Sequence, residues 1–191
     1  MQNQSPAEHV ATLYRFCAQS MQYPDANWFN AQYLEKLYLL LDSLGGDDQS
    51  KKIEKSVDKS KDILEDLQVE HTRLFINGVP HVAAPPYASV YIDKTIRGQY
   101  SDNILRFYNT SGYNLKAGAD LPDSLIHQLE FLSFIVRDQN REGEIEFLSQ
   151  FFLRWFPIFA TRVKEEAQHP FYPIIISLID FFTKEEEEYG V

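Results

Sequence analysis

Glu70-His-Thr-Arg-Leu-Phe-Ile-Asn-Gly-Val-Pro-His-Val-Ala-Ala-Pro-Pro-Tyr-Ala-Ser-Val-Tyr-Ile-Asp93 decides how this 191-residue chain is read. Its first third has the apolar spacing of a helix end. Gly78 and Pro80 are expected to stop that helix. Gly takes the left-handed conformation that a helix end often needs, and Pro cannot continue the ladder. Pro85-Pro86 then fixes two φ angles, removes two N–H donors and biases Ala84 away from helix, so residues 79–87 are not helical. Ser89 to Asp93 turns apolar and aromatic again. A stiff, apolar loop therefore joins two helical regions. Such a loop packs onto the body or presents a surface to a partner.

Helical spacing extends outward on both sides. Ser5-Pro6-Ala7-Glu8 has a capping Ser, a Pro at the first helical position and a Glu three residues after the cap. Val10, Leu13, Tyr14, Cys17 and Met21 follow at helical intervals. A second helix is expected from Asn27 to Leu44, closed by Gly45-Gly46. A third is expected to run from about Asp47 through Leu74 with a solvated outer face. Beyond the loop, helices are expected from Ser101 to Gly112, and from Pro122-Asp123 past Val136. Gly143 restarts the pattern, and Pro157 is expected to kink or break the apolar helix that contains Trp155. A last apolar helix starts at Phe171. The fold class is therefore all-α, a bundle-like domain over 1–191 of about eight or more helices. N-terminal helices occupy 5–77, a hinge-like loop 78–97, C-terminal helices 98–184 and an acidic tail 185–191. A hinge between two helical sets is compatible with a monomer or a domain-swapped dimer.

The formal net charge is -10 and the apolar fraction 44%. That balance argues against nucleic acid, which needs a basic stripe, and against an anionic membrane surface. It suits a basic partner such as an Arg-bearing peptide. A single cysteine, Cys17, leaves no internal disulfide and points to a reducing compartment. No run approaches the ~20 apolar residues of a membrane helix. The expected location is cytoplasmic.

Catalytic signatures are sparse. Neither Gly-x-x-x-x-Gly-Lys nor Gly-x-Gly-x-x-Gly nor Gly-x-Ser-x-Gly occurs. The five histidines lie on separate segments, and Glu166-x-x-His169 falls at a helix end, so no metal or other cofactor is expected. Asp123, His127 and Glu130 are spaced to share one helix face. They are readable as acid–base machinery, or as a cap and two core-edge residues. Tyr87 and Tyr91 either staple the loop or hold a partner.

Glu70-x-x-Arg-Leu-Phe75, Gly78 and Pro85-Pro-Tyr-x-Ser-Val-Tyr-x-Asp93 together resemble the TorD/DmsD/NarJ-type chaperones of molybdoenzymes. Leu121-Pro-Asp-x-Leu-x-x-x-Leu-Glu-Phe-Leu132 is similar to that family's second motif. Leu153-x-Trp-x-Pro-x-Phe159 followed by Phe171-Tyr172 is similar to its C-terminal signature. The family usually has Asp-His where this chain has Asp123-Ser124, and that His is linked to signal-peptide recognition. The resemblance implies a cytoplasmic helical chaperone, not an enzyme. Its partner is the molybdopterin-containing catalytic subunit of an oxidoreductase, or that subunit's twin-arginine signal peptide, held until cofactor is inserted. An adaptor of the NarJ kind that recognises no signal peptide, and a nucleotide-binding enzyme, are the alternatives. Under the chaperone reading Asp93, Asp123 and Glu130 meet arginines, with His127 beside them. Phe75, Tyr87, Tyr91 and Trp155 line or support a groove.

Overall fold

The computed structural model describes residues 5–79 and 81–188. Helix α1 (Pro6–Ser20) starts as its sequence dictates: the Ser5 hydroxyl accepts from Glu8 N and the Glu8 carboxylate from Ser5 N. Helix α2 (Ala31–Ser43) begins four residues later than periodicity suggests. Asn30 caps it by accepting from Tyr33 N, and residues 26–30 are spent on a turn around Asp25. The single long helix expected across Asp47–Leu74 is two. Helix α3 (Asp47–Lys59) ends, and α4 (Ile63–His71) begins at Asp62, whose carboxylate accepts from Leu64 N and Glu65 N. An Asp cap in the middle of a charged run outweighs the continuous apolar stripe.

Helix α4 runs into a π turn, Thr72–Ile76. Gly78 serves close approach there rather than a left-handed conformation: a Cβ would sit 2.7 Å from the His81 carbonyl oxygen. The contribution expected of Pro80 lies outside the described residues. Ala84 N donates to Leu74 O at 2.8 Å, which folds the loop back onto the π turn. The loop contains a short helix, α5 (Ala88–Ile92). Helix α6 (Gln99–Thr110) starts ahead of the expected Ser101 cap, and α7 (Leu125–Arg137) is capped by Ser124 rather than Asp123.

Helix α8 (Arg141–Phe147) passes through a second π turn, Leu148–Phe152, into α9 (Leu153–Glu166). Pro157 does not break α9. The N–H it lacks would have paired with Leu153 O, which lies at the seam with the π turn, where the regular ladder is already displaced. Helix α10 (Phe171–Glu188) takes in most of the expected acidic tail. Its Glu186 pairs with Arg141, which also holds the buried Glu144 at 2.7 Å. Residues 189–191 of that tail lie outside the described part.

Helix α1 packs along α7 and touches α10; α9 packs on α10 and α5; α3 packs on α2. One apolar cluster takes side chains from both sides of the loop, among them Tyr14, Leu37, Leu67, Tyr108, Trp155 and Tyr172. Burying a Leu or Phe side chain in such a cluster contributes about 1.5–3 kcal/mol. Among the described residues no helix is long and apolar enough to cross a membrane.

Candidate functional site

Asp123 organises the junction between the loop and α7. Its side chain is fully buried. One carboxylate oxygen accepts from Ser89 N at 2.8 Å and the other from Ser101 Oγ at 2.6 Å. Its backbone oxygen accepts from Ala88 N and from Gln128 Nε2. Leu125 N donates to Pro86 O, so Tyr87 and Ser124 form a short antiparallel bridge. The pattern Pro-Pro-Tyr-x-Ser is therefore one half of a clasp, and Leu-Pro-Asp the other. Pro86, with no N–H of its own, supplies only the acceptor that the clasp needs.

The other candidate residues separate into buried and accessible groups. Trp155 is fully buried and donates Nε1–H to Gln128 Oε1 at 3.1 Å. Its ring lies 5.6 Å from that of Tyr91. Tyr91 is buried under the Arg162 guanidinium, 5.1 Å above its ring. Burial pushes the Tyr91 phenol well above its ordinary range. Phe75 packs edge-on to Tyr172 in the core. Asp93 is part-buried and accepts from Tyr100 N at 2.8 Å, capping α6. Gly98 is the residue that allows this, because a Cβ there would run into the Asp93 carboxylate. The structure thus brings Phe75, Tyr91, Asp123 and Trp155 into the interior.

Tyr87 and Glu130 reach the surface, whereas the His127 side chain is only 15% exposed. Tyr87 is half-buried and donates to the exposed Asp120 at 2.9 Å. Burial and then Asp120 push its phenol up to about 12. His127 Nδ1 lies 3.0 Å from Glu130 Oε2, and the Glu130 side chain is 39% exposed. Asp123 does not join this pair, so the expected Asp/His/Glu row is not formed.

Glu130 edges a cleft of about 580 Å³ between α1 and α2. Its floor is aromatic: Phe16 stacks on Tyr33 with ring centroids 5.1 Å apart, and Trp28 meets Tyr33 edge-on. The cleft is lined by the side-chain amides of Gln19, Gln22, Asn27 and Gln32, together with Arg15 and Lys36. Sequence reasoning missed these residues. The signal was present as Thr12, Arg15, Gln19 and Gln22, a polar stripe at helical spacing on an otherwise apolar helix. Side-chain amides donate and accept at once, so such walls suit a peptide backbone laid over aromatic rings.

The Glu70 motif is a second clamp. Arg73 forks onto Glu70 at 2.9 and 3.1 Å and donates to Glu166 O, the end of α9. Glu70 accepts from Gln168 N and His169 N, just before α10. Although burial pushes the Glu70 carboxyl up, Arg73 and the two backbone donors outweigh it and hold the group below its ordinary value. His169 Nδ1 accepts from Phe171 N, so the lone Glu-x-x-His pattern belongs to a helix junction.

The helical body, with its two polar clamps and open amide-walled cleft, is of the all-α class. Residues 30–161 match the family model of the nitrate reductase delta subunit, and the chain belongs to that family. No curated protein matches the chain. A crystal structure described as a "Putative Redox Enzyme Maturation Protein" from Archaeoglobus fulgidus aligns with a TM-score of 0.59 at 27% identity. That alignment covers 99% of this chain and 96% of the other. The family match agrees with the resemblance carried by the Glu70–Asp93 and Leu121–Leu132 motifs.

Proposed function

We propose that the protein is a cytoplasmic chaperone for the molybdopterin-containing catalytic subunit of a redox enzyme. It binds a segment of the apo-subunit, in the first instance its twin-arginine signal peptide, and withholds it from export or assembly until cofactor is in place. The observation that carries this reading is the α1–α2 cleft, where Glu130 joins amide walls over a stacked aromatic floor. The cleft is shaped for a chain in which apolar side chains and backbone amides alternate. The accessible carboxylates Glu130 and Asp120 are the groups that meet arginine, and Tyr87 lies beside Asp120. Phe75, Tyr91, Asp123 and Trp155 support that surface from within. Asp93 fixes the start of α6. The chemistry is binding and release with no covalent step.

Calorimetry with a twin-arginine peptide of the client tests this. Glu130→Gln is expected to weaken binding about two- to fivefold in low salt and less in high salt, as a partly exposed charge pair does. Unchanged affinity, together with unchanged affinity on Gln22→Ala, removes the cleft from the account.

A further inference from the structure

Helix α2 carries two apolar faces. Tyr33, Leu37 and Leu41 point into the core. Ala31, Leu34, Glu35, Tyr38, Leu39 and Asp42 recur at alternating steps of three and one, which places them on one separate stripe. Glu54, Val57 and Asp58 of α3 face that stripe across a groove of about 550 Å³. From residue 31 to 42 the stripe rises about 16 Å, three helical turns. Leu34, Tyr38 and Val57 are only partly buried against the core, and Leu39 is 64% exposed.

Charge is one-sided here. Glu35, Asp42, Glu54 and Asp58 line the groove and no Lys or Arg does. Among the described residues none of the four makes an ion pair within 4.0 Å, although Asp42 accepts from Ser50 Oγ at 2.8 Å. Burial, then Glu54 and Asp58, push the Tyr38 phenol up. An acidic rim around an apolar floor disfavours a second copy of a chain whose net charge is -10, and disfavours an anionic lipid surface.

We infer that the α2–α3 groove docks an amphipathic helix of a partner protein, with leucine-like residues on one face and Lys or Arg along both edges. Three turns of groove take anchors at i, i+3 or i+4, and i+7. The flanking cations face Glu35 on one helix and Glu54 and Asp58 on the other. The surface shares no lining residue with the α1–α2 cleft. It therefore adds a second attachment point and stands whether or not the cleft holds a signal peptide.

The test uses a labelled synthetic 14-residue peptide with leucines on one helical face and lysines elsewhere, against a scrambled peptide of equal composition. Binding is followed by fluorescence anisotropy at physiological salt. The striped peptide is expected to bind at least tenfold tighter than the scrambled one. Leu39→Ser combined with Glu54→Gln and Asp58→Asn, all at exposed positions, is expected to remove that advantage. Glu146→Gln with Glu165→Gln, exposed carboxylates elsewhere, is expected to change affinity less than twofold. Equal binding of the two peptides overturns the inference, as does an equal loss in both sets of variants. A concentration-dependent dimer abolished by Leu39→Ser assigns the groove to a second copy instead.

Discussion

Replacing Asp123 by Ala exposes what the clasp contributes. The substitution leaves the backbone bonds to Ala88 N and Gln128 Nε2 in place and removes both carboxylate bonds. Hydrogen bonds to a charged acceptor contribute about 1.5–3 kcal/mol each, and a buried donor left without a partner costs about 1–3 kcal/mol. The donor most exposed to that cost is Ser89 N, because it is buried and its hydroxyl is already engaged with Arg97 N. The Ser101 hydroxyl can rotate to recover part of its loss. The sum is about 3–5 kcal/mol. With a urea m-value of about 3 kcal/mol/M, the unfolding midpoint falls by roughly 1–1.7 M. Asp123→Asn is expected to cost less than Asp123→Ala. The amide oxygen can keep Ser89 N and the Ser101 hydroxyl can turn to accept from the amide NH2, so the charge of the acceptor is the main loss. Urea unfolding followed by circular dichroism measures this directly. A loss under about 1 kcal/mol in both variants, with client binding abolished, refutes the clasp and returns Asp123 to the role of a contact residue.

Arg73→Ala is expected to destabilise by about 2–3 kcal/mol, because it strips Glu70 of its counter-charge and α9 of a cap, and a calorimetric midpoint within 1 °C of wild type contradicts that. Gly98→Ala is expected to displace the Asp93 carboxylate and weaken the start of α6, seen as faster amide exchange at Tyr100; unchanged protection there counts against the Asp93 cap. Burial holds His71 and His169 below the ordinary histidine value of 6.5. The unfolded chain then binds the extra protons, so stability is full above about pH 6.5 and is lost as pH falls from there toward the folded values. Glu70, also held low, adds a further loss only below its ordinary 4.5. Thermal midpoints that rise between pH 7.5 and 5.5 contradict this assignment.

Much of the fold was legible because local signals agreed. The Ser5-Pro6-Glu8 box, the Gly45 and Gly112 stops, both with positive φ, and the apolar stripes of α7 and α9 each gave an element near its observed place. The failures have local causes. The Asp62 cap was hidden within a charged run, and two π turns displaced ladders that a strict helical period cannot register. The site was less legible. Motif residues looked functional because they are unusual for a surface, yet Asp123, Tyr91 and Trp155 are unusual because they are interior. A carboxylate that clamps two chain segments looks the same in sequence as one that meets an arginine. The amide wall of the cleft escaped notice because uncharged polar residues on a helix read as solvated face.

The central claim is that this chain holds an immature redox subunit through the α1–α2 cleft. Affinity capture of the tagged protein from its native cell, wild type beside a Gln22→Ala/Glu130→Gln variant with a matched thermal midpoint, tests it most directly. Wild type is expected to retain a molybdopterin-type catalytic subunit depleted of its cofactor, and the variant to retain at most a tenth as much. Capture of no such subunit by wild type, or equal capture by both proteins, contradicts the account.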